Sequence, residues 1–183
     1  GGTEMMPFHN IFNEWYAAQT SKKIRAVWRS KSDKGERVSS AVPYGYMKSP
    51  DNPKQWIVDE AVANNVRYIF KLCLEGLGPT KIARRLEQEK IMTPTAYYLS
   101  VGRPTSNKLQ KGIYQWSETS VNHILGNIQY TGCTVNFKTS VLSYKVHKTI
   151  YNDENDWQII PNTQEAIIDE DTWNRVQELK KHR

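Results

Sequence analysis

The chain has 183 residues, enough for one ordinary domain or a small domain with attachments, and its 38% hydrophobic content can build a modest core. No apolar run approaches the ~20 residues of a membrane span and no secretory leader opens the sequence. Cys73 and Cys133 are too few for a disulfide scaffold or a four-ligand zinc site, so the expectation is a cytoplasmic chain with no membrane, metal or cofactor, in which Gly1-Gly2 is an expression scar. The net charge of +6 permits nucleic acid, an anionic surface or no special partner, and its distribution is more informative.

From Phe8 to about Ser32 the pattern is helical, with a face that changes character. Ile11, Trp15 and Ala18 share a stripe that continues into Lys22, Arg25 and Arg29. Lys22, Lys23, Arg25, Arg29 and Lys31 follow one another without an acid, and Lys34 and Arg37 come next against Asp33 and Glu36. A helix that leaves a protein core and runs onto a polyanion explains this most simply; emergence into solvent is the alternative. The following KSDKGERVSSAVPYGYMKSPDNPK is rich in Gly, Ser, Pro and charge. It predicts an extended linker with turns at 43–45 and 50–53 and little packing.

Asp59 then caps a helix running to Glu75, with Val62, Val66, Ile69, Phe70 and Cys73 inward and Gly76 as its stop. Gly78-Pro79-Thr80 opens a second, ending near Lys90, with Ile82, Ala83 and Leu86 inward and Lys81, Arg84, Arg85 and Glu87 outward. Residues 92–115 show little apolar period and predict a long loop, of the kind that is functional or disordered. It holds Arg103, Lys108 and Lys111 among Tyr97, Tyr98 and Tyr114 without an acid, an interleaving that suits phosphate contact and sugar packing.

The stretch QWSETSVNHILG predicts a short helix capped by Ser117 and stopped at Gly126, with Trp116 stapled onto Val121. Val121, Ile124 and Leu125 form its apolar stripe; Thr119, Asn122 and His123 lie opposite, with Ser120 at the flank. That polar, uncharged face is either solvated or reads a partner through hydrogen bonds. Residues 131–138 and 141–148 then predict an antiparallel pair, with 157–160 a third short strand. Asp169 caps a final helix, with Ile168 and Trp173 as a staple and Val176 on the same side, packed on the core or awaiting a partner.

The composite is mainly α with a small antiparallel β element. Helices at 59–75, 80–90 and 117–126 make a helix-turn-helix arrangement, whose last member lies in the DNA major groove. Asn122 would there pair with adenine, while Thr119, Ser120 and His123 offer hydroxyl, methyl or imidazole contacts.

PYGY at 43–46, VDEAVANNVRYIFKLCLEGLGPTKIARRLEQEKIMTP at 58–94 and WSETSVNHILGNIQYTG at 116–132 resemble the recombinase domain of large serine recombinases, in the resolvase and invertase superfamily. MMPFHNIFNEWYAAQTSKKIRAVWRSKSDKG at 5–35 resembles the long helix that joins the catalytic and DNA-binding parts in the conjugative-transposon branch. The resemblance implies that 1–34 end the linking helix, 35–53 form the extended linker, and 54–183 form the DNA-binding domain. Within that domain it puts a helix-turn-helix at 59–126 and a β element with the final helix at 129–183.

The resemblance also implies a catalytic serine upstream of Gly1 and a zinc ribbon and coiled coil beyond Arg183. No catalytic residue is then expected here, and His9, His123, His147 and His182 lack carboxylate companions at a useful spacing. In the family the helix ends on DNA, the linker tracks the minor groove and the last helix enters the major groove, roles that fall on Lys22 to Arg29, Lys34 to Arg37 and Thr119 to His123. The segment between the second and third helices is longer than in much of the family, so Arg103, Lys108 and Lys111 either order on phosphates or ride on a mobile insertion. The implied partner is double-stranded DNA at transposon ends or an attachment site, in a bacterial cytoplasm. This part would bind it as a monomer, and its parent would act as a dimer or tetramer in integration and excision. The rivals are a helix-turn-helix transcription regulator, an enzyme in its own right, and a protein-interaction module.

Overall fold

The computed structural model describes residues 2–183, with side chains from His9 onward; Gly1 of the expected scar lies outside them. Its helices are α1 (Gly2–Asp33), α2 (Ala63–Leu74), α3 (Pro79–Gln88), α4 (Pro94–Ser100), α5 (Glu118–Leu125) and α6 (Glu170–Lys181). The strands are β1 (Tyr46–Lys48), β2 (Trp56–Val58), β3 (Thr134–Asn136), β4 (Thr139–Val141), β5 (Thr149–Tyr151) and β6 (Gln158–Ile160). They form three antiparallel pairs, β1 with β2, β3 with β6 and β4 with β5. The chain divides into two compact units, one of 1–40 with 134–160 and one of 41–133 with 161–183. The strands β3 to β6, grouped by sequence with the helical domain, therefore fold with α1.

In the second unit α2, α3 and α5 pack on one another, and α6 packs on α2 and α5. Every apolar residue expected to face inward on α2, α3 and α5 is buried. Asp59 does not itself cap α2: its carbonyl accepts from Val62 and Ala63 and its carboxylate from Ala61, a turn that delays the helix to Ala63. At the other end Gly76 takes φ +97° and donates to the Cys73 carbonyl, while Leu77 donates to that of Leu72, the paired closure that a left-handed residue permits.

Two further sequence expectations fail in this unit. Residues 94–100, read as loop, form α4, in which Thr93 accepts from the Ala96 N–H and Pro94 occupies the first turn. The PYGY segment is core, not linker: Tyr44 and Tyr46 are buried, and β1 pairs with β2. The Tyr46 ring stacks on Tyr130 and its hydroxyl donates to the Glu165 carbonyl at 2.6 Å. Gly45 is required between them, with φ +102° and an added Cβ only 2.9 Å from Val66 Cγ2. Burial pushes the Tyr44 hydroxyl up to about 12, and its oxygen accepts from Asn65.

In the first unit the expected pairing of 131–138 with 141–148 is also replaced. Phe137 takes φ +61°, which breaks the run after Asn136, and the Asn152 amide holds the break by donating to the Phe137 carbonyl at 2.8 Å. β3 is thereby released to pair with β6, and β4 with β5.

Candidate nucleic-acid interface

The second unit presents α5. The Ser117 hydroxyl accepts from the Ser120 N–H at 3.1 Å, and Glu118 puts a carboxylate in the first turn, where it accepts from the Thr80 hydroxyl at 3.0 Å. The far end is closed by α6: Gln177 donates its side-chain amide to the Leu125 carbonyl at 2.7 Å. Lys180 lies near Gly126, its ammonium pKa lowered by burial. Trp116, expected as a staple onto Val121, donates its indole N–H to the Ile91 carbonyl, and its ring meets Tyr44 edge-on. Buried Val121, Ile124 and Leu125 hold the inner face.

The outer face is thus displayed on a helix fixed at both ends. Thr119 and His123 are exposed, Asn122 and Ser120 half-buried. The Ser120 hydroxyl pairs with that of Ser117 at 2.9 Å, whereas the side chains of Thr119, Asn122 and His123 take no hydrogen-bond partner among the described residues. Such a face offers donors and acceptors to base edges at little reorganisation cost.

The predicted cations of the 92–116 segment part company. The Arg103 guanidinium donates to the Tyr46 carbonyl at 2.9 Å and the Val42 carbonyl at 2.8 Å, with its Cζ 4.2 Å from the Tyr98 ring centre. It is a clamp on the PYGY segment, which removes it from a set of free phosphate ligands. Lys108 and Lys111 stay exposed.

The first unit carries the other basic set. Lys22, Lys23, Arg25, Arg29, Lys31 and Lys34 are exposed and Arg37 is half-buried. Lys22, Lys23, Arg25, Arg29, Lys31 and Lys34 enter no ion pair among the described residues, whose ion pairs are Lys71–Glu75, Lys145–Glu14 and Lys181–Glu178. Arg29 lies 4.5 Å over the Phe137 ring centre. Ile11 and Trp15, the apolar end of the stripe, are exposed, so the described chain supplies no core for them.

What the sequence did not reveal is how the end of α1 is held. Ser32 and Asn136 are 1% and 2% exposed. The Ser32 hydroxyl donates to Gln158 Oε1 at 2.6 Å, and Asn136 Nδ2 donates to Ser32 Oγ at 2.9 Å and to the Glu36 carbonyl at 2.8 Å. Asn136 Oδ1 accepts from the Val38 N–H at 3.0 Å. Side chains from β3 and β6 thus fix the path of the chain between Lys34 and Val38. A polar residue within an alternating strand was the one available signal.

Among the described residues no helix is long and apolar enough to cross a membrane, and no three His, Cys, Asp or Glu side chains converge to hold a metal ion. A family model described as Recombinase matches residues 60–183. No curated protein gives a significant match. A solved structure described as "Sequence Requirements of the Listeria innocua prophage attP site" is similar with a TM-score of 0.55 and 16% identity, over 88% of this chain and 52% of its own. Another, described as "Crystal Structure of a LSR-DNA Complex", gives 0.49 and 17%, over 87% of this chain and 38% of its own. The chain therefore spans about half, or less, of these solved chains.

Proposed function

The chain belongs to the Recombinase family, and from that premise we propose that it binds double-stranded DNA sequence-specifically and positions a serine recombinase for integration and excision at the ends of a mobile element. The observation that carries this reading is the α5 outer face. Thr119, Asn122 and His123 are polar, uncharged and unengaged, on a helix whose ends are tied down by Ser117 and Gln177. A solvated face has no need of such rigidity, whereas base readout does, because a bidentate contact discriminates only when its donor and acceptor are fixed. In this reading α2, α3 and α5 act as a helix-turn-helix, with α5 in the major groove.

The division of labour follows from charge. Lys22, Lys23, Arg25, Lys31 and Lys34 have no acidic partner and supply sequence-independent phosphate contacts, with Lys108 and Lys111 as further candidates on the second unit. Arg37 enters the adjacent minor groove. The fold-similar protein is described with a prophage attachment site, which supports DNA of that class as the target. The chemistry of strand exchange belongs to a catalytic domain elsewhere in the parent, which acts as a dimer or tetramer while this part binds as a monomer.

Selection from randomised duplexes tests the proposal. The chain should enrich one motif, and Asn122→Ala, with its melting temperature kept, should relax preference at one or two adjacent base pairs and lose ~1–3 kcal/mol on the cognate site. If both Asn122→Ala and His123→Ala leave the motif and affinity unchanged, α5 is ordinary solvated surface.

A further inference from the structure

Resting on that reading, we propose that the β4–β5 hairpin is a second phosphate-binding element of the first unit, gripping the same duplex as the basic part of α1. From Cys133 to Asn152 the chain contains Lys138, Lys145, Lys148 and His147 and no acid. All four of those side chains are exposed. The side chains of Lys148 and His147 have no partner among the described residues, and Lys138 rests its ammonium 5.2 Å from the Trp157 ring centre. Lys145 lies 5.8 Å from the Tyr144 ring centre, and its one ion pair among the described residues is with Glu14, at 3.3 Å, exposed by more than half on both sides. Exposed pairs of this kind are weak and screened, so a phosphate can displace the carboxylate.

The hairpin is placed to act with α1. Phe137 receives Arg29 at its root, and Lys145 reaches Glu14 near its tip. Those two helix positions lie ~22 Å apart along the axis at ~1.5 Å rise per residue. The extended chain from Phe137 to Lys145 covers that span at ~3.3 Å per residue. The ribbon therefore runs beside the helix segment that carries Lys22, Lys23 and Arg25, and its lysines extend that positive surface sideways.

The hairpin's burial also calls for a partner. β4 is exposed at every position, and Val141, Leu142, Val146 and Tyr151 are 48%, 55%, 49% and 76% exposed. A two-stranded ribbon with neither face covered is marginal by itself. Cations interleaved with uncovered aliphatic and aromatic groups suit a sugar-phosphate backbone, which offers charge and apolar sugar faces together.

The test uses the full chain and the slope of log affinity against log salt on duplex DNA. Lys138→Ala with Lys148→Ala should reduce the magnitude of the slope by ~1.8, at ~0.9 per phosphate contact, and the corresponding Lys→Arg pair should restore it. Both substitutions sit at exposed positions, and an unchanged melting temperature checks the fold. Lys22→Ala with Lys23→Ala is the control. If the control lowers the slope and the hairpin pair leaves it within ~0.3 of the unaltered chain, the hairpin is solvated surface and this proposal falls alone. If the unaltered chain itself shows no salt-dependent binding, the functional reading falls with it.

Discussion

Replacing Asn136 by Ala removes a side chain that joins β3 to the chain leaving α1. Three bonds go: to Ser32 Oγ at 2.9 Å, to the Glu36 carbonyl at 2.8 Å, and from the Val38 N–H at 3.0 Å. The Ser32 hydroxyl keeps its bond to Gln158, and exposed Glu36 can turn its carbonyl to water, so the main cost is the half-buried Val38 N–H and the lost packing. An orphaned group of this kind costs ~1–3 kcal/mol. Because the chain has two compact units, a single melt would average over them, so amide exchange is the better assay. Amides from Lys34 to Val38 should exchange ~5- to 160-fold faster in Asn136→Ala, while those of α2 and α3 keep their protection. DNA affinity should fall alike on cognate and random duplexes, because this segment is assigned to the backbone and groove rather than to bases. Unchanged exchange at Lys34 to Val38 would refute the idea that β3 and β6 steer the basic segment.

Three other outcomes follow from the geometry. Gly45→Ala should destabilise the second unit by ~2–5 kcal/mol in urea unfolding, because the left-handed φ and the 2.9 Å approach to Val66 act together. Arg103→Met should cost ~1–3 kcal/mol by removing the two bonds to the Val42 and Tyr46 carbonyls, yet leave the salt slope of DNA binding unchanged; a shallower slope would return Arg103 to the phosphate set. Asp169 has its carboxyl pKa held below the usual value by the N–H and hydroxyl of Thr172, so its contribution is present above the unfolded value and disappears as pH falls through the folded one. Asp169→Asn should therefore flatten the acid limb of the stability profile below about pH 4.

The helices were legible where a period had room to repeat or a stop was written. Val66, Ile69, Phe70 and Cys73, or Ile82, Ala83 and Leu86, mark a buried stripe without ambiguity. α4 was missed although Thr93-Pro94 is a cap followed by a first-turn proline, because one residue of its seven, Ala96, is buried and no stripe can show. PYGY read as linker because Pro and Gly signal turns, while the groups that bury its tyrosines, Tyr130 and Glu165, lie far along the chain. The strand pairing was hidden in Phe137, whose positive φ no bulky residue advertises. At the candidate site, the face of α5 followed from helical spacing alone. The diversion of Arg103 did not, since charge suggests a phosphate and only the fold brings two carbonyls to it.

The most direct test of the account is the affinity of the intact chain for a duplex between about 50 and 200 mM salt. With Lys22, Lys23, Arg25, Lys31 and Lys34 exposed and free of ion pairs, three to five phosphate contacts predict a slope of log affinity against log salt between about −2.7 and −4.5, at ~0.9 per contact. An affinity that stays flat over that range would contradict it.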